Sequence, residues 1–508
     1  MKLPAILLVS YALANALLYS ALLPLWEGFD ELFHFGYVQY LANGQGFPDP
    51  RASFLSREIG SSLSIAPASN IVQRNLPEVR TYSEYFALSM GQSAAIEAQL
   101  HNIRPEWRWQ SSHFLNYEAQ HPPLAYALLA LPERALARIP LLSRVLVLRI
   151  TGAFAGMLIL YFGATQLLSQ LGLRDPWKNA AIFCTFSSQM MWATLAHVAN
   201  DWLSVPLTVW SLALMVQDWK SPRLRSAALV GGALALGLLT KAYFIALLPV
   251  AVVLCLMRKR FKDLCLLSAI VIVAAGPWYA RNILLYGTLT GTQESRAGVG
   301  ALAVIHAAPA FDWPSVAWVN IRAALWTGNN TFLAFSGHTL TAIVAVWLIA
   351  LVLWARSRHG SAEWVTVLCC AFFLAALAYD ALVRFVSTGR VGTAPWHSQV
   401  LLVPMLGLAF LGCLRSSRLG KVVAGALTAL FSYVLIATYV VKLIPLYGGY
   451  EGRTSLAALI GLYSHRLPVL MGNLNLIALA PGGALLSLTA IVTILAATQA
   501  VVLIRSLD

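Results

Sequence analysis

Charged residues are scarce in this sequence. Only 11% of its 508 residues are Asp, Glu, Lys or Arg, whereas 59% are hydrophobic. Soluble domains usually carry about 25% charged residues, so the composition excludes an ordinary soluble protein. Long apolar stretches recur from one end of the chain to the other, which indicates a membrane protein whose apolar surface is covered by lipid as well as by protein.

Cysteine is also rare, and we find neither internal repeats nor low-complexity segments. The six cysteines show no CxxC pair and no disulfide framework, so they leave the redox compartment open. All of them lie inside apolar stretches, which is typical of small buried hydrophobic residues. They are Cys184, Cys255, Cys265, Cys369, Cys370 and Cys413.

Twelve apolar stretches are candidates for membrane-spanning helices, so the sequence predicts an all-α polytopic membrane protein. The first extends past a candidate signal-peptide cleavage site at 14–16 and is long enough to span, so we interpret it as a helix that is retained. The predicted spans are 4–24, 145–170, 178–197, 202–217, 225–240, 242–257, 264–281, 338–355, 364–384, 397–414, 421–444 and 481–504.

Basic connectors fix the predicted topology. With a cytoplasmic N-terminus, all five basic connectors fall on the cytoplasmic side, where Lys and Arg are retained. The net charge of +14 fits this retention better than a nucleic-acid partner. The connectors are 173–178, 220–225, 258–263, 356–360 and 415–421.

The same topology divides the chain into two modules. The first, 1–281, includes a long extracytoplasmic loop, 25–144, here called the first loop, and the second, 282–508, has extracytoplasmic loops 282–337 and 445–480. The first loop is too long for a passive connector. Its helical pattern at 122–138 is amphipathic, and we predict that it lies along the membrane surface.

The first loop begins with an acidic cluster, "EGFDELFHFG" (27–36). In a helix over 30–42, Asp30, His34 and Tyr37 would share one face. The helix N-terminus would favour an ionised Asp30, although Asp is also a common helix cap. We interpret Glu27 as an ordinary interfacial acid.

A second cluster, "YEAQHPPLAY" (117–126), follows at the end of the loop. Glu118 and His121 lie three residues apart, beside two prolines that stiffen the backbone. A polar loop leading into a surface helix, with Pro in its first turn, is the alternative interpretation. Both clusters lie where the chain meets the membrane.

Together, "FDELFHFG" and "YEAQHPPLAY" resemble the first-loop pattern of the GT-C glycosyltransferases, especially protein O-mannosyltransferases and bacterial aminoarabinose transferases. The resemblance covers roughly residues 1–240 and extends weakly to "HVAND" (197–201) and "LLTKAYF" (238–244). It implies a GT-C fold in a bacterial inner membrane and a polyprenyl-phosphate-linked sugar as donor. It also implies transfer, with inversion, to an acceptor hydroxyl or amine on the extracytoplasmic side.

The resemblance also implies roles for individual residues. Asp30 becomes the general base, with Glu31 as its acidic neighbour. Substrate-positioning roles fall on Glu118 and His121, and Asp201 resembles a second acidic position near the donor. His34, on the same helix face as Asp30, is a further candidate for substrate binding. The predicted topology, rather than the resemblance, supplies cations on the same side that could neutralise the phosphate, namely Lys241, Arg281, Arg384 and Arg390. Each of these cations could instead be an anchor at the membrane surface.

The sequence leaves open the role of a metal ion and the class of acceptor. Asp30, His34, Glu118 and His121 could hold a divalent metal ion, or they could act through hydrogen bonds alone. The acceptor could be a lipid, a glycan or a protein.

The second candidate function is a transporter or flippase of lipid-linked saccharides. A transporter usually carries ionisable groups near the bilayer midplane. Here the polar residues concentrate at one membrane surface, and Asp380 and Arg384, which could pair at i,i+4, lie toward the outer end of their span. The pattern therefore favours an enzyme.

Overall fold

The computed structural model describes residues 3–76, 79–389, 391–450 and 455–507. Helix α1 spans Leu3–Leu22, and the first loop then folds into six shorter helices and two antiparallel strands. These elements are α2 (Glu31–Ala42), β1 (Phe54–Ser56), α3 (Arg57–Ile65), α4 (Asn70–Asn75), α5 (Tyr82–Phe86), α6 (Met90–His101), β2 (Ser111–Leu115) and α7 (Leu124–Ala135).

The rest of the first module is a series of apolar helices. A 3-10 segment, Ala242–Leu247, precedes the sixth of them. The helices are α8 (Leu141–Gln170), α9 (Trp177–Ser187), α10 (Gln189–Leu195), α11 (Asp201–Lys220), α12 (Leu224–Leu238), α13 (Leu248–Met257) and α14 (Phe261–Tyr286).

The second module is likewise helical throughout its described residues. The loops 282–337 and 445–480 contain short helices, and a π-helical segment, Thr438–Leu443, extends one long helix. The helices are α15 (Gln293–Arg296), α16 (Ala301–Ala307), α17 (Trp313–Leu325), α18 (Gly337–Ala355), α19 (Ser361–Thr388), α20 (Leu402–Leu414), α21 (Ser417–Ala437), α22 (Ile444–Tyr447), α23 (Leu456–His465), α24 (Leu467–Ile477) and α25 (Gly482–Ser506).

Eight helical segments among the described residues are long and apolar enough to cross a membrane. They confirm the predicted all-α polytopic fold. The other four predicted spans also form helices, but α9 and α10 are separated by a break at Ser188 and α12 has 15 residues. The number twelve therefore stays a prediction. The eight are Pro4–Leu22, Leu141–Gln170, Phe261–Tyr286, Gly337–Ala355, Ser361–Thr388, Pro395–Leu414, Ser417–Tyr447 and Gly482–Ser506.

Small residues let α8 and α11 pack closely. Gly152 and Gly156 are four apart on α8, and both face Trp202 near the start of α11. A side chain at position 156 would place its Cβ 2.5 Å from the Trp202 carbonyl oxygen. Glycines at this spacing allow such close helix contacts within membranes. Here they let the N-terminal end of α11 pack directly against α8.

Buried ion pairs hold the first loop against α8. Arg144, at the outer end of α8, pairs with Glu58 of α3 and with Glu133 of α7. Arg108 lies 3.2 Å from the same Glu133 carboxylate. All four side chains are buried, so the loop is an integral part of the fold.

Candidate active site

A cavity of about 890 Å³ opens where the first loop meets the outer ends of α11, α12 and α19. Residues from both modules line it. Six of the residues singled out in the sequence line it together, namely Asp30, His34, Glu118, His121, Asp201 and Lys241. The two first-loop clusters and the more distant "HVAND" and "LLTKAYF" segments thus converge on one space.

Asp30 lies immediately before α2, with a left-handed backbone φ of 54° and no capping hydrogen bond from its side chain. Its Oδ1 instead accepts a short hydrogen bond from the Tyr117 hydroxyl. Burial raises the pKa of Asp30 to about 6, and the nearby Glu118 carboxylate adds to the shift. Asp30 is therefore mostly ionised at pH 7 and basic enough to take up a proton.

Buried His34 and Glu118 and half-buried His121 form a group beside Asp30. Nε2 of His121 is 2.7 Å from Oε2 of Glu118, and Nδ1 of His34 is 3.6 Å from the same oxygen. Nδ1 of His34 also lies 2.8 Å from the Tyr126 hydroxyl. Burial lowers the pKa of His34 to about 3, so this imidazole is neutral and acts through hydrogen bonds.

Asp201 and Lys241 supply a buried ion pair on the far side of the cavity. Lys241 Nζ is 2.6 Å from Asp201 Oδ1. Asp201 is the first residue of α11, and Lys241 follows α12 at the start of the 3-10 segment. The pair holds the ammonium group at the cavity wall, where it can contact an anion.

Glu31 is directed away from this cavity. Its carboxylate accepts from Arg149 Nε at 2.7 Å and from the Val198 backbone N–H at 3.0 Å, and all three groups are buried. The predicted catalytic neighbour of Asp30 thus belongs to an ion pair buried within the protein. It does not line the cavity.

The interpretation of Glu27 as an interfacial acid is wrong, because its side chain is only 1% exposed. Its carboxyl group accepts from the Tyr82 hydroxyl at 2.7 Å and from the Thr331 backbone N–H at 3.0 Å. Burial raises its pKa to about 8, so Glu27 is largely uncharged at neutral pH.

Two of the predicted cations, Arg281 and Arg390, are not part of the described cavity wall. Arg281 donates to the Pro48 carbonyl at 3.3 Å and lies over the Trp278 ring. Arg390 falls outside the described residues, as do residues 451–454 of the loop 445–480.

Arg384, a candidate cation from the sequence, also lines the cavity. It is paired at 3.1 Å with Asp380, as the i,i+4 spacing predicted, and at 3.1 Å with Glu294. The second pair joins α15 to α19, and nothing local in the sequence indicates it. Sequence reasoning missed other residues that line the cavity, namely Phe29, Tyr117, His197, Trp396 and His397.

The four candidate metal ligands do not converge on one point. Asp30 bonds to Tyr117, His34 lies against Tyr126, and Glu118 is engaged by His121. Within the described ranges, no group of three or more His, Cys, Asp or Glu side chains is arranged to hold a metal ion. These residues as placed do not fit a metal centre, and metal dependence stays an untested prediction.

No protein-family model and no curated protein matches this sequence. Among solved structures, it is similar to two crystal structures of ArnT from Cupriavidus metallidurans. The one bound to undecaprenyl phosphate is 15% identical, with 87% of this chain and 75% of that chain covered and a TM-score of 0.41. The apo structure is 16% identical, with 86% and 74% covered and a TM-score of 0.38. Likeness at this level assigns no activity.

Proposed function

We propose that this protein is an integral-membrane glycosyltransferase that moves a sugar from a polyprenyl-phosphate donor to an acceptor hydroxyl or amine. The observation that supports this most is the placement of two opposite charges in one cavity. A half-buried carboxylate, Asp30, and a buried ammonium group, Lys241, both line it. A base for the nucleophile and a cation for a phosphate leaving group are what such a transfer requires.

In this proposal Asp30 accepts the proton from the acceptor group as its oxygen or nitrogen attacks the anomeric carbon. The new bond to the anomeric carbon forms on the face opposite the phosphate, and the carbon–oxygen bond to the phosphate breaks. A single displacement of this kind inverts the anomeric configuration. The departing phosphate carries the negative charge, which Lys241 and Arg384 stabilise.

The other residues at the cavity orient the substrates. Glu118, His121 and neutral His34 offer acceptors and donors to sugar hydroxyls, and Nδ1 of His121 has no hydrogen-bond partner within the described chain. Asp201 positions the Lys241 ammonium group. Buried polar atoms without partners are rare in proteins, which supports a hydroxyl-rich ligand.

The direct test is a transfer assay with the purified protein and a panel of polyprenyl-phosphate monosaccharides. We expect one donor to release polyprenyl phosphate as its sugar reaches an acceptor or water. If no donor reacts but a lipid-linked saccharide crosses a vesicle membrane that contains the protein, the flippase alternative replaces the enzyme.

Lys241→Ala should reduce the transfer rate by about 10²-fold, the effect of removing one group that stabilises transition-state charge. Lys259→Ala also removes one positive charge, but from a basic connector far from the cavity, and should have little effect. Steady-state rates of the two variants are the measurement. Equal rates would remove Lys241 from the reaction.

We also propose that the cavity faces the extracytoplasmic side of a bacterial inner membrane. Cysteines introduced in a Cys265→Ala background at Ala94, in the first loop, and Arg358, in a basic connector, test this. Both positions are exposed and therefore accessible to the reagent. A membrane-impermeant maleimide should label position 94 from outside and position 358 only after lysis. Labelling of both from one side would contradict the topology.

A further inference from the structure

One residue of the second module holds three consecutive carbonyl groups of the turn that precedes α2. This turn, residues 26–30, ends with Asp30. Nδ2 of Asn330 donates to the carbonyl oxygens of Trp26, at 3.2 Å, and Gly28, at 2.9 Å. The Asn330 backbone N–H donates to the carbonyl oxygen of Glu27, at 3.3 Å.

The 26–30 turn needs such support because its backbone conformation is unfavourable. Trp26 and Asp30 have left-handed φ angles of 61° and 54°, which residues with a Cβ adopt reluctantly. At Gly28 a Cβ would lie 2.5 Å from the Cβ of His197, so the turn is also closely packed against the connection between α10 and α11. Residues persist in such conformations only where their surroundings enforce them.

The segment that contains Asn330 is itself fixed on both sides. The Ser69 hydroxyl donates to the Asn330 carbonyl at 2.7 Å, and the Tyr19 hydroxyl donates to Asn329 Oδ1 at 2.7 Å. The Thr331 backbone N–H donates to the buried Glu27 carboxyl group. Residues 329–331 are therefore a rigid support for the turn.

We propose that Asn330 is a positioning residue that holds the 26–30 turn, and with it the Asp30 carboxylate, at the cavity. The proposal rests on the role of Asp30 in the proposed function. Asn330 does not line the cavity, so it is not one of the catalytic or substrate-binding residues of that function. The turn belongs to the first module and Asn330 to the second, so the second module would help to position the proposed base.

Hydrogen exchange tests the positioning without any substrate. Asn330→Asp keeps the size of the side chain but removes both donors, and amides in peptides covering 24–34 should exchange about tenfold faster or more. Asn473→Asp is the matched control, because Asn473 Nδ2 donates to the Gly448 carbonyl, at 2.9 Å, and does not contact the turn. Unchanged exchange in Asn330→Asp would overturn the proposal.

Ser69→Ala provides a second route should Asn330→Asp fail to fold. It removes the hydroxyl that anchors the Asn330 carbonyl, which also accepts from the Val72 N–H as the N-cap of α4, and it leaves Asn330 itself unchanged. The same peptides should then exchange faster, though by less than in Asn330→Asp. No change in their exchange would again contradict the positioning role.

Transfer kinetics separate this proposal from the function on which it rests. In Asn330→Asp we expect the maximal rate to fall about 10²-fold, as a displacement of about 1 Å can cause, with the KM for donor unchanged. Faster exchange with an unchanged maximal rate would overturn the inference and leave the proposed function intact. If the wild-type protein transfers sugar from no donor, the function fails, and hydrogen exchange still decides whether Asn330 holds the turn.

Discussion

Asp30→Asn should reduce sugar transfer by about 10²–10⁴-fold, the usual effect of losing a general base. The amide keeps an oxygen that can accept the Tyr117 hydrogen bond, so the cavity should retain its shape and still bind donor. What the variant loses is the ability to accept a proton. The measurement is the single-turnover transfer rate at saturating donor.

The pH dependence of the wild-type rate gives a second readout of the same residue. Because burial raises the pKa of Asp30 to about 6, the carboxylate is available as a base above that pH and is lost as the pH falls through it. The rate should therefore decline below about pH 6. The groups that face Asp30 are Tyr117, Glu118, His121 and Lys241.

Asp49→Asn is the matched control for Asp30→Asn. Asp49 is in the same loop but forms an exposed pair with Arg51, so its loss should leave transfer unchanged. Should Asp30→Asn transfer sugar at the wild-type rate, the base lies elsewhere, and Glu118 is the next carboxylate at the cavity to test.

The first-loop part of the site could be predicted because its residues are close together in the sequence. Asp30 and His34 share one local pattern, and Glu118 and His121 share another. Both patterns lie next to apolar stretches, so their meeting at the membrane surface follows from topology. Local chemistry and the positions of the spans were sufficient to bring these four residues together.

The support of the site could not be predicted, because it depends on contacts between distant segments. Arg149 lies 118 positions from its partner Glu31, and Asn330 lies 304 positions from Trp26. In the sequence, Arg149 is one charge within an apolar helix and Asn330 belongs to an ordinary turn. Their partners follow only from how α8 and the 329–331 segment pack against the chain near α1.

Glu31 illustrates the difference between sequence neighbours and neighbours in space. It follows Asp30 directly, and the resemblance to GT-C enzymes made it a second catalytic candidate. Glu31 is the first residue of α2, whereas Asp30 precedes the helix with a left-handed backbone, and here Glu31 is directed toward Arg149 of α8 while Asp30 faces the cavity. An acidic pair in the sequence therefore divides into one residue at the cavity and one residue in a buried ion pair.

Arg149→Met should destabilise the protein by about 3–5 kcal/mol, the cost of leaving one member of a buried ion pair without its partner. The guanidinium group neutralises Glu31 and also donates to the carbonyls of Leu23, at 2.6 Å, and Pro24, at 2.8 Å. Without it, Glu31 would keep only the Val198 backbone N–H as a donor, and no positive charge would neutralise its buried carboxylate. The measurement is the unfolding midpoint in a denaturant titration of the detergent-solubilised protein.

The double variant Arg149→Met/Glu31→Leu shows whether the loss comes from the uncompensated carboxylate. Replacing both members of a buried pair by apolar residues is often close to neutral, so the second substitution should restore much of the stability. Arg51→Met, which breaks the exposed pair with Asp49, should change the midpoint little, since surface pairs contribute little. If Arg149→Met were as stable as Arg51→Met, the Arg149–Glu31 pair would not be what fixes the start of α2 against α8.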